Sequence, residues 1–150
     1  MSASYEPPMY VKQKFDWLPV LGFLAFMLFV SGVAGAVYLQ RSPVVAVTTK
    51  DFEEQIERAD VPVLVQFHAE WCQPCRLMHP VVDEVAREFR GRATVAAVDI
   101  DRSPGLAQRY QIDVVPTFLV LRRGRVVKEW NGMAEKQQLS DWLVEAGAGE

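Results

Sequence analysis

The chain has only two cysteines and two histidines among its 150 residues. Both cysteines lie in one run, Trp71-Cys72-Gln73-Pro74-Cys75, and no second C-x-x-C is present. A structural zinc site normally needs four Cys or His ligands, so this scarcity disfavours a zinc knuckle. A redox-active dithiol is therefore the first hypothesis for the pair.

Charged residues are absent from one long segment, because no Asp, Glu, Lys or Arg occurs from Trp17 to Gln40. The residues from Leu18 to Leu39 are almost wholly apolar, and a helix of that length at about 1.5 Å per residue spans the roughly 30 Å hydrocarbon core of a bilayer. The sequence thus predicts contact with a membrane through Trp17 to Leu39. The expected organisation is a short tail (1–16), a transmembrane anchor (17–40) and one domain (41–150).

A cleaved signal peptide is the alternative, since Ala34-Gly35-Ala36 resembles a cleavage site. The apolar run before that site exceeds the usual length of about 7–15 residues, so we expect a retained anchor. Basic residues on the two sides of the anchor nearly balance and barely decide its orientation. An N-terminal anchor followed by a compact domain most often exports that domain. We expect a single-pass protein with its domain outside the cytoplasm, on the periplasmic side if bacterial.

The chain also lacks a basic stripe. Its formal net charge is −3, and the cluster of Arg122, Arg123 and Arg125 flanks Gly124 in a predicted turn, where charges are usually just solvated. We expect no nucleic-acid partner, because such partners need concentrated positive charge.

Chemistry is predicted at the cysteine pair. At the start of a helix, unpaired N–H groups and the helix dipole stabilise a thiolate, so Cys72 is the expected nucleophile and Cys75 the resolving thiol. The pair also permits metal handling, for example of copper, if His68 and His79 join it. His68 should end a strand and face away from the next helix, and His79 reads as a partly exposed helix residue, so the metal site is the weaker interpretation.

The apolar pattern and the turn residues predict an α/β fold, a mixed sheet with helices on both faces. The long helix after the first cysteine should bury Leu77, Val81, Val85 and Phe89 and bend at Pro80. The predicted elements are a possible strand at 44–47, a short helix capped by Asp51 that buries Phe52 and Ile56, strands at 61–67 and 94–100, helices at 72–90 and 104–110, a hairpin of strands 117–122 and 126–130, and a final helix at 134–146 that buries Leu139, Trp142, Leu143 and Ala146.

These residues resemble thioredoxin. The likeness covers about residues 44–146. It rests on Phe67, Ala69-Glu70-Trp71-Cys72, Pro74-Cys75, Pro80, Val115-Pro116-Thr117, Gly124 and Gly132, which match the family's landmarks in order. The resemblance implies a thioredoxin fold and a thiol-disulfide oxidoreductase that cycles between a Cys72–Cys75 disulfide and a dithiol.

The resemblance also implies roles for the neighbours of the pair. Pro116 would adopt the cis peptide and position the substrate. Trp71, Pro74, Val115 and Gly132 would form the docking surface, with the Val115 backbone pairing with an extended peptide.

Four positions depart from the family pattern. Gln66 stands where a buried aspartate usually accepts the proton of the second cysteine, and Ala97 replaces the lysine often paired with it. His68 replaces an aromatic, and Gln73 replaces the glycine between the cysteines. Either Cys75 is deprotonated through water, Glu70 or the substrate itself, with Glu70 or His68 as candidates to assist the proton transfer, or the protein runs reduction more slowly than a cytosolic thioredoxin.

The sequence therefore predicts a membrane-tethered oxidoreductase that acts on protein disulfides or thiols. Reduction of substrate disulfides is its expected direction. It should need no metal or organic cofactor. Its redox partner would be a transmembrane electron donor, or a quinone-linked oxidase if the domain oxidises its substrates. A non-catalytic docking subunit of a membrane complex is the remaining alternative.

Overall fold

The computed structural model describes residues 18–39 and 43–149. The predicted tail (1–16) and the two ends of the predicted anchor, Trp17 and Gln40, lie outside these residues. The first segment is one helix, α1 (Leu18–Leu39), 22 residues long, with side chains described over 20–32. Within the described residues, no helix combines the length and the apolar character needed to cross a membrane.

The rest of the chain builds a five-stranded mixed sheet in the order β1-β3-β2-β4-β5. Strands β1, β2 and β3 run parallel, whereas β4 is antiparallel to both β2 and β5. The strands are β1 (Val45–Ala46), β2 (Val63–His68), β3 (Thr94–Asp99), β4 (Thr117–Arg122) and β5 (Arg125–Asn131). The β4–β5 hairpin turns at Arg123 and Gly124, whose φ angles of 49° and 72° suit a tight two-residue hairpin turn.

Helices cover both faces of this sheet, as the sequence predicts. They are a π-helical turn (Glu53–Glu57), α2 (Gln73–Glu88), α3 (Pro104–Arg109), α4 (Lys136–Leu143) and a second π-helical turn (Val144–Ala148). Because side chains alternate along a strand, β2 divides its residues between two cores. Leu64 packs with Met78, Phe118 and Leu139 under α2 and α4, while Val65 and Phe67 pack with Ile56 and Leu106 on the opposite face.

Two details of the helices differ from the predictions. Helix α2 continues through Pro80, but its buried side chains are Cys75, Met78, Val82, Val85 and Ala86, and Leu77 is 61% exposed. The burial of Cys75 fixes this phase, because residues three and seven positions later share its face. The first π-helical turn buries Phe52 and Ile56 as expected, yet it has no side-chain cap. The Asp51 carboxylate instead accepts a hydrogen bond from the Thr48 hydroxyl.

Candidate active site

The cysteine pair lies where β2 gives way to α2. Cys72 and Cys75 form a disulfide with a Cα–Cα distance of 5.3 Å. Cys72 is the N-cap of α2, and its Sγ accepts a hydrogen bond from the backbone N–H of Cys75 at 3.2 Å. The same N–H and the helix N-terminus favour negative charge on Cys72 once the bond is reduced. Cys72 is 3% exposed and Cys75 is fully buried, so the second sulfur is the more shielded of the two.

The loop before β4 packs against this pair. Val115 contacts the small cluster formed by Ala69, Cys72 and Cys75, and the Val115–Pro116 peptide is cis. The carbonyl of Pro116 accepts a hydrogen bond from the N–H of Gly132 at 2.8 Å, which joins this loop to the end of β5. Gly132 has a φ of 96°, a left-handed conformation that glycine adopts without strain. The predicted docking residues Val115 and Gly132 are thus brought together beside the disulfide.

Exposed apolar side chains lie along the loops around the site. Trp71, next to Cys72, is 66% exposed, and Pro74 is also exposed. Val114 and Met133, which adjoin Val115 and Gly132 in the chain, are 51% and 57% exposed. Single exposed apolar residues are ordinary, but several around a reactive pair mark a surface suited to a partner chain.

Trp71 and Glu70 are held from the loop after β3. The indole Nε1 of Trp71 donates to Asp101 at 3.0 Å, and the Glu70 carboxylate pairs with Arg102 at 2.6 Å. Sequence reasoning missed Asp101 and Arg102. Their signal is topological: parallel β2 and β3 end at the same edge of the sheet, so a charged run after β3 comes close to the residues after β2.

His68 and His79 are brought together, contrary to the expectation that His68 faces away from α2. Their rings meet edge to face with centroids 5.9 Å apart. Gln66 and His68 share a face of β2, and α2 lies over that face, which explains the contact. Burial lowers the pKa of His68 below its usual value, and neighbouring His79 and Arg102 act in the same direction against Asp99 and Glu70. Among residues 18–39 and 43–149, no three His, Cys, Asp or Glu side chains are placed to share a metal ion.

Gln66 and Ala97 occupy the positions where the family resemblance would place a charged pair. They are direct neighbours in the β2–β3 register. Gln66 is 1% exposed, and its Nε2 has no hydrogen-bond partner in the described structure. Both residues line a cavity of about 280 Å³ together with His68, His79 and Asp83.

Thioredoxins are among the known proteins that resemble this chain in sequence, in agreement with the fold and the cysteine site. A family model for thioredoxin matches residues 43–145. A thioredoxin from Rickettsia felis is 35% identical over 97 residues, which make up 65% of this chain and 92% of that protein. Thioredoxin 1 of a Nostoc species is 40% identical over 97 residues, 65% of this chain and 91% of its own length. A thioredoxin from Pseudomonas aeruginosa is 38% identical over 100 residues, 67% of this chain and 93% of its own length.

Proposed function

The chain belongs to the thioredoxin family, and from that premise we propose that it acts as a membrane-tethered reductant of protein disulfides. Its activity as a thiol-disulfide oxidoreductase follows from its relatives and from the redox-active pair Cys72–Cys75. The observation that carries the proposal is the disulfide at the N-terminus of α2 with the Val115–Pro116 loop packed against it.

The two cysteines have different tasks in this proposal. The Cys72 thiolate attacks one sulfur of a substrate disulfide, forms a mixed disulfide and expels the other substrate sulfur as a thiolate, which takes up a proton. Cys75 then loses its proton and attacks Cys72, so the bond to the substrate breaks and the second substrate sulfur leaves. Two electrons have moved to the substrate, and the intramolecular disulfide remains.

Substrate docking is assigned to the surface around the pair. Trp71 and Pro74 supply exposed apolar area, and Val115 supplies backbone groups. Within residues 43–149, Val115 takes part in no backbone hydrogen bond, so its N–H and C=O can pair with an extended peptide. Pro116 and Gly132 hold that loop in place through their own 2.8 Å hydrogen bond.

Variants of the two cysteines test these roles. With a disulfide-containing protein such as insulin, Cys75→Ser should accumulate a covalent mixed disulfide, because the resolving thiol is gone. Cys72→Ser is the matched control and should accumulate none. Equal trapping by both variants would contradict the assignment, and full activity of a Cys72→Ser/Cys75→Ser protein in cells would favour the docking-subunit alternative.

The direction of electron flow is tested by the reduction potential. We expect the full chain in detergent micelles, equilibrated with dithiothreitol or glutathione couples, to give a value near that of thioredoxin, about −270 mV. The support is the resemblance to thioredoxins, whose overall site this chain shares. A value near that of a disulfide donor, about −120 mV, would instead make the protein an oxidant served by an oxidase.

The tether and its partner complete the proposal. The support is the uncharged and almost wholly apolar run from Trp17 to Gln40 in the sequence. An exported domain needs electrons from a membrane-spanning donor, because cytosolic reductases cannot reach it. Since the chain has no other cysteines, a membrane-impermeant maleimide applied to reduced intact cells reports the side on which Cys72 lies. Labelling only after permeabilisation would place the domain in the cytoplasm, and release of the protein by alkaline carbonate would refute the anchor.

A further inference from the structure

The cavity beside α2 has a cluster of polar side chains in a largely apolar lining, and the two cysteines exchange disulfides without using it. It has a volume of about 280 Å³ between β2, β3 and α2. Its polar lining consists of the Gln66 amide, the two imidazoles of His68 and His79, and the Asp83 carboxylate. A cavity holds water when it offers about one probe sphere of space and two to four polar partners, and this one has room for several waters beside four polar side chains.

The cavity and the resolving thiol share helix α2. His79, which lines the cavity, follows Cys75 by four residues, a spacing that places two side chains on one face of a helix with Cβ atoms about 5–6 Å apart. Cys75 is fully buried, whereas His79 is exposed. His79 therefore connects the face of α2 that carries the buried thiol with solvent, and His68 contacts its edge at a centroid distance of 5.9 Å.

The other candidate base is less suited to this task. The carboxylate of Glu70 is 73% exposed and forms a 2.6 Å ion pair with Arg102. This ion pair holds the carboxylate at the surface, whereas the thiol of Cys75 is fully buried.

We propose that this cavity carries the proton of Cys75 to solvent, with His79 and His68 as acceptors and Gln66 holding water on the path. The inference rests on Cys75 being the resolving thiol. In the step, the S–H bond of Cys75 breaks as its sulfur attacks Cys72, and the proton passes through water to a neutral imidazole. The exposed His79 then releases it to solvent, so the histidines finish unchanged.

The expected pH dependence follows from the charges around the pair. The charges around His68 come from Asp99 at the end of β3, Arg102 in the loop after β3, Glu70 in the loop after β2, and His79 on α2. Burial is the largest influence on His68, and its pKa lies below the ordinary value. The neutral form that accepts a proton is thus dominant at pH 7 and is lost as the pH falls through that lowered pKa. At higher pH hydroxide takes the proton of the thiol directly, so the thiolate forms with less help. The contribution of the path should therefore be greatest near pH 7.

The test separates the two chemical steps. Reduced full-length protein in detergent micelles is mixed with excess 5,5′-dithiobis(2-nitrobenzoate) in a stopped-flow instrument. Attack by Cys72 releases one coloured thiolate, and resolution by Cys75 releases the second. In His79→Gln and in His68→Gln/His79→Gln we expect the rate of the second phase to fall about tenfold at pH 7. General acid–base catalysis typically raises a rate about 10²- to 10⁴-fold, so this expected loss is modest. The first phase should be unchanged.

Further variants keep the result decisive. Gln66→Leu should slow the second phase while leaving both histidines in place, and Glu84→Gln, an exposed change on the same helix outside the cavity, is the matched control. The ratio of wild-type to double-variant rate should be highest near pH 7 and should fall at both lower and higher pH. A flat ratio, an unchanged second phase, or equal slowing of both phases would overturn the proposal. Absence of both phases in the wild type would instead refute the exchange activity. A reduction potential near about −120 mV would refute only the proposal that the protein acts as a reductant, because 5,5′-dithiobis(2-nitrobenzoate) oxidises any dithiol.

Discussion

Thr117 connects the loop beside the disulfide to the β4–β5 hairpin, and replacing it with valine should lower the stability of the domain. Its side chain is 1% exposed, and its hydroxyl lies 2.7 Å from the carbonyl of Val114 and 2.7 Å from the Asn131 side-chain amide. Thr117 and Asn131 are also direct partners in the β4–β5 register. Valine keeps the shape and removes only the hydrogen bonds.

The magnitude follows from those two contacts. A hydrogen bond contributes up to about 1.5 kcal/mol, so the two contacts of the Thr117 hydroxyl contribute about 3 kcal/mol together. The gain from one added methyl offsets about 0.8 kcal/mol of this. We expect Thr117→Val to lower the free energy of unfolding by about 2 kcal/mol, which corresponds to a fall of roughly 8 °C in Tm for a domain of this size.

Urea unfolding of the oxidised full chain in detergent micelles, followed by tryptophan fluorescence, measures the effect as a shift of about 1 M in midpoint. Thr48→Val is the matched control, because the Thr48 hydroxyl donates to Asp51 at a similar 2.8 Å but in an exposed position. That control should change stability by less than about 0.5 kcal/mol. If both variants shift the midpoint equally, or neither does, the buried hydrogen bonds are not what holds the loop.

Two further predictions concern backbone strain and a buried phenol. Gly91→Ala and Gly124→Ala both force alanine into the left-handed region (φ of 80° and 72°), which costs about 1–2 kcal/mol. Only at Gly124 would the new Cβ also meet a backbone oxygen, that of Glu57 at 3.0 Å. Gly124→Ala should therefore lower the urea midpoint clearly further than Gly91→Ala, and equal shifts would contradict the close approach. Burial and a 2.7 Å hydrogen bond to Glu57 raise the pKa of Tyr110 to about 12, above its ordinary value of 10. The resulting stabilisation is complete below pH 10 and is lost as the pH rises towards 12, so wild type should lose stability relative to Tyr110→Phe over that interval; parallel pH profiles of the two proteins would refute it.

The parts of the fold that the sequence predicts best are those set by local chemistry. The hairpin turn is predictable because Gly124 stands between two short runs rich in β-branched and apolar residues, and the structure has that turn. The strands β2 and β3 are predictable because they are nearly continuous apolar runs bounded by polar residues. The cysteine pair at the start of α2 follows from its position after β2 and from Pro74 at the first turn of the helix.

The details that escape the sequence depend on tertiary contacts. A repeat of three and four residues fits either Leu77 or Met78 as a core residue, and only the burial of Cys75 selects Met78. The Trp71–Asp101 hydrogen bond joins residues 30 apart in sequence and depends on the adjacent ends of β2 and β3. The meeting of His68 and His79 depends on which face of β2 the helix covers, and the apolar pattern of β2 alone does not fix this.

The replacements around the site are best understood together. An aspartate at position 66 and a lysine at position 97 would be direct neighbours across β2 and β3, and this chain has an amide and a methyl there instead. Removing both charges spares the fold a desolvation cost, because a buried ion pair often contributes little net stability. It also removes the carboxylate that the family resemblance assigns as the base for the second cysteine. The same face of β2 carries His68 two residues later, against His79, and both imidazoles line the cavity beside Gln66. The cavity therefore offers imidazoles in exchange for that carboxylate. If that exchange is what supports the reaction, Gln66→Asp should make the enzyme insensitive to loss of His79, because a carboxylate in the cavity again supplies the base. The stopped-flow second phase of Gln66→Asp/His79→Gln at pH 7 should then match that of Gln66→Asp alone, and a tenfold difference between them would show that the carboxylate cannot replace the imidazole.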